Sequence, residues 1–485
     1  MSTTRKSVAL STVSRFGSIA TSLALVVFVA RWLYPTEIGA FAVAYATFTL
    51  FDQVRLAQIP AFVIQAPNVD KSLMRSVQLV GWAIALTVLV MSAGVAALLV
   101  TAFDQPEVGY LLALMIPAYF ISTLIQPAFG IINRQMRFGV VAGVEVSGAL
   151  TKAAVTISAL LAGFRAEALA FGVVAEIAVK LAYLSKVDPR LALARPSRGR
   201  VPEVWAFCTR FTGAELINRT SMALIEILIG SFLGLAAAGF YNRSAVLVRK
   251  LRSGIESAIV PVALAAFAKS NRENVDLARR DYLTGISLLT GITWPGLAVF
   301  IVLAKPIILT FYGERWEETI YLAQILSAGA IIHGVTAMAP ALLASMGRVH
   351  SLLLRNLASA VPRLLILLAT LQYDLPTVLW GLFASMLIHF AINQTLLWRE
   401  ARIGPSDLLK TLWRSSLLAV TSSAAPYFVL SIPAVSEQSS LMHLAWCVPV
   451  AGSAWLITLM LIGHPLKAEI MGALKRIRFV RAAHD

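Results

Sequence analysis

What most constrains this chain is the recurrence of apolar runs, each about 20 residues or longer, from one end to the other. Residues 73–101, for example, carry a single charged side chain, Arg75. Such a run satisfies its backbone polar groups in lipid only as a helix, so it reads as a membrane crossing. Fourteen stretches of this kind can be marked: 8–33, 37–62, 73–101, 108–132, 139–162, 166–186, 204–233, 236–267, 282–304, 317–345, 351–371, 376–398, 408–431 and 441–463. Short connections favour antiparallel neighbours. The chain is therefore expected to be an all-α polytopic membrane protein of about 14 transmembrane helices. The first stretch is expected to be an uncleaved first helix, since no clean cleavage site follows it.

Composition agrees. Hydrophobic residues make up 58% of the 485 and charged residues 14%, against about 45–50% and 25% in soluble proteins. In a soluble protein a net charge of +16 would suggest nucleic acid; here it marks one side of a membrane. With both termini placed in the cytoplasm and the spans alternating, 30 of the 41 basic residues fall at cytoplasmic ends and loops. Cys208 and Cys447 both lie in apolar stretches and read as small core residues, with no disulfide expected.

A repeat appears at an offset of 200 residues. Leu33 to Phe41 aligns with Leu233 to Tyr241, matching a leucine, a glycine (Gly39, Gly239) and an aromatic in a tight hairpin between two spans. A second echo pairs Pro127-Ala128 and Arg134 with Pro340-Ala341 and Arg348. These suggest two six-helix pseudo-repeat lobes plus two C-terminal helices. The expected divisions are an N-lobe at 1–187, a basic linker at 188–202, a C-lobe at 203–400, two further spans in 401–465 and a basic cytoplasmic tail at 466–485. Repeated halves around a midplane site are a common transporter plan.

No P-loop, metal-spaced cluster or visible Ser/His/Asp grouping is encoded, and no loop is large enough for a separate catalytic domain, so an enzyme is not expected. His333 and His389 lie in spans and read first as hydrogen-bonded structural residues, with proton carriage the alternative. What remains is charge inside the spans, at about 2.5–3.5 kcal/mol or more per residue on insertion scales. Glu215, Arg219 and Glu226 share one helix face. Asp52/Arg55, Glu145/Lys152, Glu176/Lys180 and Glu215/Arg219 stand at helical spacings that can pair, and such pairs could serve only to lower insertion cost. Arg243 and Arg363 have no such helical partner. Arginines around an aqueous cavity suit a phosphate-bearing substrate, because guanidinium stays protonated and makes forked hydrogen bonds. Arg55, Arg219, Arg243 and Arg363 are accordingly the candidate substrate-binding residues. Asp52, Glu145, Glu215 and Glu226 would balance charge or couple transport to protons or sodium ions. No other cofactor and no metal is expected.

Several ordered motifs carry a resemblance: Arg31 to Gly39 (RWLYPTEIG), Ala61 to Gln65, Asn133 to Phe138 (NRQMRF), Ile229 to Gly234, Gly239 to Ser244 (GFYNRS), Val260-Pro261 and Phe311 to Trp316 (FYGERW). In order and spacing they resemble the Wzx-type polysaccharide flippases, WzxC-like branch, of the multidrug/oligosaccharidyl-lipid/polysaccharide exporter superfamily. The resemblance covers about 400 residues; Arg55 and Gln58 stand where many relatives are small and apolar. It implies an alternating-access transporter of the bacterial inner membrane moving undecaprenyl-pyrophosphate-linked oligosaccharide for O-antigen, capsule or exopolysaccharide synthesis. The partners implied are that lipid-linked oligosaccharide, membrane lipids, and polysaccharide polymerase and export machinery, with no nucleic acid. Two other readings stand beside it: a cation-coupled multidrug exporter, which calls for an acid-dominated cavity, and an integral-membrane glycan polymerase or ligase, which calls for a large extramembrane loop.

Overall fold

Helix follows helix wherever the sequence is apolar, with prolines and short polar caps setting the limits. The computed structural model describes residues 2–56, 58–66, 69–187 and 199–472; within these, the side chains of 2–16, 53–56, 58, 61, 65, 71, 207–219, 258 and 349 lie outside the description. In order, the major helices are α1 (Ser2–Trp32), α2 (Pro35–Leu56), α3 (Gln58–Gln65), α4 (Lys71–Phe103), α5 (Pro106–Arg134), α6 (Phe138–Leu161) and α7 (Glu167–Val187). They continue with α8 (Val201–Phe232), α9 (Leu235–Glu273), α10 (Val275–Phe311), α11 (Glu318–Thr336), α12 (Ala339–Ser345), α13 (Val349–Thr370), α14 (Leu375–Ala401), α15 (Pro405–Leu430), α16 (Pro433–Ser436) and α17 (Ser440–Leu461). No strand occurs among the described residues.

Ten helices among the described residues are long and apolar enough to cross a membrane, α4 being the most hydropathic. Much of their apolar surface is outward: Leu86, Val90, Met91 and Leu98 of α4 and Leu441, Trp446, Ile457 and Leu461 of α17 are exposed. Apolar surface on this scale needs lipid rather than water. This is a multi-pass membrane protein. The expected span 317–345 is split into α11 and α12, with Pro340 in the first turn of α12, where its missing N–H costs nothing.

By packing, the chain divides into Met1–Asn242 and Arg243–Asp485. In the first unit, α2 packs on α5 and α8, and α6 packs on α1 and α7. The offset-200 echo has a geometric counterpart there. A Cβ built on Gly39 would lie 1.6 Å from the carbonyl oxygen of Leu235, and one on Gly239 would lie 2.0 Å from that of Pro35. Residues 200 apart thus meet reciprocally in the first turns of α2 and α9, as two copies of one motif would about a local twofold. Only glycine permits backbones this close. Nearby, Glu37 accepts from the Tyr34 backbone N–H at 2.7 Å and pairs with Arg165 at 2.6 Å. The Arg134 guanidinium donates to the carbonyls of Val63, Ile64 and Ala66, closing the C-terminus of α3 with a cation.

In the second unit, α10 packs on α11 and α15, and α15 on α17. A core of Phe267, Tyr282, Ile286, Leu289, Met338 and Leu342 joins α9, α10 and α12. Pro295 cannot donate to the carbonyl four residues back, at Gly291; the Trp455 indole N–H takes that place at 3.1 Å, restoring the bond a membrane helix cannot leave open. His464 sits against Gly291, within 3.1 Å of Ser415 Oγ and 3.4 Å of Ser287 Oγ, and tethers the helical stretch 465–472. Leu466 of that stretch is buried with Leu418 and Leu459, and Ile470 packs on them.

Burial, with Arg414 nearby, pushes the His464 imidazole down to about 4. Between the ordinary value and that one, the unfolded chain takes up a proton that the folded chain does not. Stability is therefore full above about pH 6.5 and falls as pH drops toward 4. A loss on the order of 1–3 kcal/mol is expected by pH 4. His464→Gln should flatten this part of the thermal-unfolding profile; an unchanged profile would mean the imidazole is not the group responsible.

Candidate functional site

Among the described residues, much of the charge inside the spans gathers in two clusters, one in each unit. In the first unit it joins α6 and α7. Lys152 Nζ lies 3.1 Å from Glu176, Lys180 Nζ 3.0 Å from Glu176, and Lys180 Nζ also 3.0 Å from Glu145. The helical pair Glu176/Lys180 forms, whereas Glu145 and Lys152 share a face of α6 and each pairs across to α7. Gly148 between them leaves room for the Lys180 stem: a Cβ there would meet Lys180 Cε at 2.5 Å. Lys152 also stands 5.7 Å from the Tyr45 ring centre, at one end of a stack running Tyr45, Phe48, Tyr119. At its other end Asp52, buried, accepts from Ser122 Oγ at 3.4 Å.

This cluster is balanced, two lysines against two glutamates. Glu176→Gln would leave both ammonium groups to Glu145. Breaking a fully buried pair costs about 3–5 kcal/mol. With Glu176 23% exposed, about 1–3 kcal/mol is expected in thermal unfolding. Adding Lys152→Met should restore part of it; equal losses in single and double variants would show that the pairs do not interact.

The second unit's cluster joins α9, α11, α13 and α14. Arg355 of α13 donates from Nε to Asn393 Oδ1 at 2.6 Å, and its Nη2 lies 3.2 Å from His389 Nε2. His389 Nδ1 is 2.8 Å from Ser359 Oγ. The His333 and His389 rings lie parallel, 6.3 Å apart. His333 Nδ1 is 3.6 Å from Glu256, which lies 3.5 Å from Arg252. Arg363, 6% exposed, lies about two turns on from Arg355 along α13. Two guanidinium groups, two imidazoles and the Glu256 carboxylate are thus strung together among the described residues. Glu256 Oε1 and His333 Nδ1 are buried without a hydrogen bond among the described residues; a proton on that nitrogen would give them a charge-assisted one.

Of the sequence candidates, Glu145 enters the first unit's cluster and Arg363 lies beyond the second's on α13. Asp52 stands by Ser122. Glu226 accepts from Asn242 Nδ2 at 3.3 Å. Arg243, 5% exposed, lies 5.9 Å from the Trp316 ring centre, and its Nε has no hydrogen-bond partner among the described residues. The side chains of Arg55, Arg219 and Glu215 lie outside the described residues. Arg252 and Arg355 count among the 30 basic residues expected at cytoplasmic ends and loops, and neither they nor Glu256 are site candidates by sequence, although their spacing carries the signal. Arg252 and Glu256 stand at i, i+4. Arg355, Ser359 and Arg363 follow at i, i+4, i+8, which places three polar groups on one face of α13.

These features define a class: an all-helical, multi-pass membrane protein with ionisable groups held at span depth. More particularly, the chain belongs to the polysaccharide biosynthesis protein family, whose profile its residues 28–321 match. It is similar to the teichuronic acid biosynthesis protein TuaB of Bacillus subtilis (strain 168), 23% identical over 76% of this chain and 77% of the relative. It is also similar to the succinoglycan biosynthesis transport protein ExoT of Rhizobium meliloti (strain 1021), 26% identical over 69% and 67%. In fold it matches the lipid II flippase MurJ in its inward closed conformation, at TM-score 0.77 and 13% identity, over 93% of this chain and 98% of that one. An outward-facing multidrug resistance MATE family transporter matches at TM-score 0.55 and 16% identity, over 84% and 97%.

Proposed function

We propose that this protein flips undecaprenyl-pyrophosphate-linked oligosaccharide from the cytoplasmic to the periplasmic leaflet of the bacterial inner membrane, by alternating access, for polysaccharide biosynthesis. Both termini lie in the cytoplasm. The observation that carries the reading is the Arg355 guanidinium, held at span depth by Asn393, Asn356 and His389 and by no carboxylate among the described residues. A pyrophosphate supplies the missing negative charge; a cationic drug does not. Family membership and the polysaccharide-related relatives support the same substrate class. The multidrug-exporter alternative has the weaker fold match and the wrong sign of charge at this cluster.

Arg363, with Arg55, Arg219 and Arg243, holds the pyrophosphate and nearby sugars, and Arg355 orients the cluster. Asp52, Glu145, Glu215 and Glu226 balance charge. Protons or sodium ions drive the cycle through these acids or through the Glu256–His333 contact. The polymerase and export machinery receive the product. Deleting the gene should leave lipid-linked oligosaccharide on the cytoplasmic face, where it resists periplasmic glycosidase. Normal periplasmic glycan in the deletion, with no second exporter present, would overturn the reading.

A further inference from the structure

A cleft of about 420 Å³ opens where the basic ends of α10 and α15 meet the stretch after α17. Arg279, Arg280, Lys410 and Arg414 line it, with Asp276 as the acid among its lining residues. Asp407 adds a second acid, bonded to Arg279 at 2.8 Å; that hydrogen bond holds its carboxyl below the usual range. Four cations against two acids leave a net charge of +2. Arg414 donates to the Gly463 carbonyl through Nη1 at 3.0 Å, yet the Nε–H groups of both Arg279 and Arg414 are buried without an acceptor among the described residues. A buried guanidinium N–H left unmade is costly unless something accepts from it.

The depth of the cleft says what kind of anion fits. Its α10 lining runs from Asp276 to Ser287, about 16 Å along the axis at 1.5 Å per residue. That is enough to cross the polar headgroup layer on one side of a bilayer, about 5–8 Å, and reach the apolar boundary beneath it. Below it, Ser287 and His464 close the floor. Beside it on α15, Trp413 is 50% exposed and Leu409 and Leu417 also face outward. An aromatic ring and leucines at this level are what an interfacial site offers to acyl chains.

We infer that this cleft binds the phosphate headgroup of an anionic glycerophospholipid of the adjoining leaflet. Arg279 and Arg414 donate to the phosphodiester, and Arg280 and Lys410 supply field at the rim. The site is separate from the clusters at span depth and does not depend on the substrate proposed above. A lipid seated here would tie α10, α15 and the 465–472 stretch together at the membrane surface.

The test uses the full chain in nanodiscs of equimolar phosphatidylcholine and phosphatidylglycerol, extracted gently, with retained lipid identified by native mass spectrometry. Wild type is expected to retain phosphatidylglycerol over phosphatidylcholine by roughly tenfold. Arg280→Gln with Lys410→Gln, both exposed side chains, should bring the ratio near one, and Arg280→Lys with Lys410→Arg should restore it. Arg399→Gln with Arg402→Gln, outside the cleft, should leave it at the wild-type value. No preference in wild type, or an equal drop in the Arg399/Arg402 variant, would overturn the site. Inorganic phosphate displacing the lipid at equal concentration would overturn the lipid assignment and leave a free-anion site.

Discussion

Gly39→Ala is expected to leave little folded protein in the membrane. The new methyl carbon would sit 1.6 Å from the Leu235 carbonyl oxygen, a backbone atom that no rotamer change can move. The starts of α2 and α9 would have to part by more than about 1 Å, which places the cost at or beyond the upper end of overpacking, about 3 kcal/mol. Gly239→Ala meets the Pro35 carbonyl at 2.0 Å and should behave alike. Gly94, with nothing within 4 Å of a built Cβ, is the control: Gly94→Ala should be neutral or slightly stabilising in its helix. The readout is the monodisperse fraction and thermal midpoint in detergent. A wild-type midpoint for Gly39→Ala would mean the two helices do not approach as described.

Arg355→Gln is expected to lower flipping by about 10- to 100-fold while most of the protein remains folded. Arg355 joins Asn393, His389 and Asn356 through separate nitrogens. Each hydrogen bond to a charged group is worth about 1.5–3 kcal/mol, and tenfold corresponds to about 1.4 kcal/mol. Arg355→Lys keeps the charge but loses the fork, so it should fall between the two. Flipping within twofold of wild type in Arg355→Gln would remove this cluster from the transport pathway.

Much of the fold was legible because lipid allows few solutions: long apolar runs become helices, and the structure makes them so from α4 to α17. Pro340 marks a helix start for the same reason that it interrupts a span. The glycine echo at 39 and 239 could be read as a motif, but not as a contact, because contact depends on how two helices cross. The site was less legible. The Glu176/Lys180 pair follows from spacing, whereas the bond from Lys180 to Glu145 depends on Gly148 letting α7 come close. Arg355 reads as a residue near a span end when counted by loops. Its neighbours Ser359 and Arg363, one and two turns on, are what mark it as part of a polar face. One motif residue also turns out to hold architecture: Arg134 closes α3.

The proposed activity is movement of a pyrophosphate-linked glycolipid across a bilayer. The most direct measurement is transport by purified protein in proteoliposomes loaded with a defined undecaprenyl-pyrophosphate oligosaccharide, scored by access of an external glycosidase or lectin, with and without proton or sodium gradients. Protein-dependent transfer between leaflets is expected, falling with Arg355→Gln and not competed by cationic dyes. No transfer of the glycolipid, together with efflux of such dyes by the same preparation, would contradict the proposed activity.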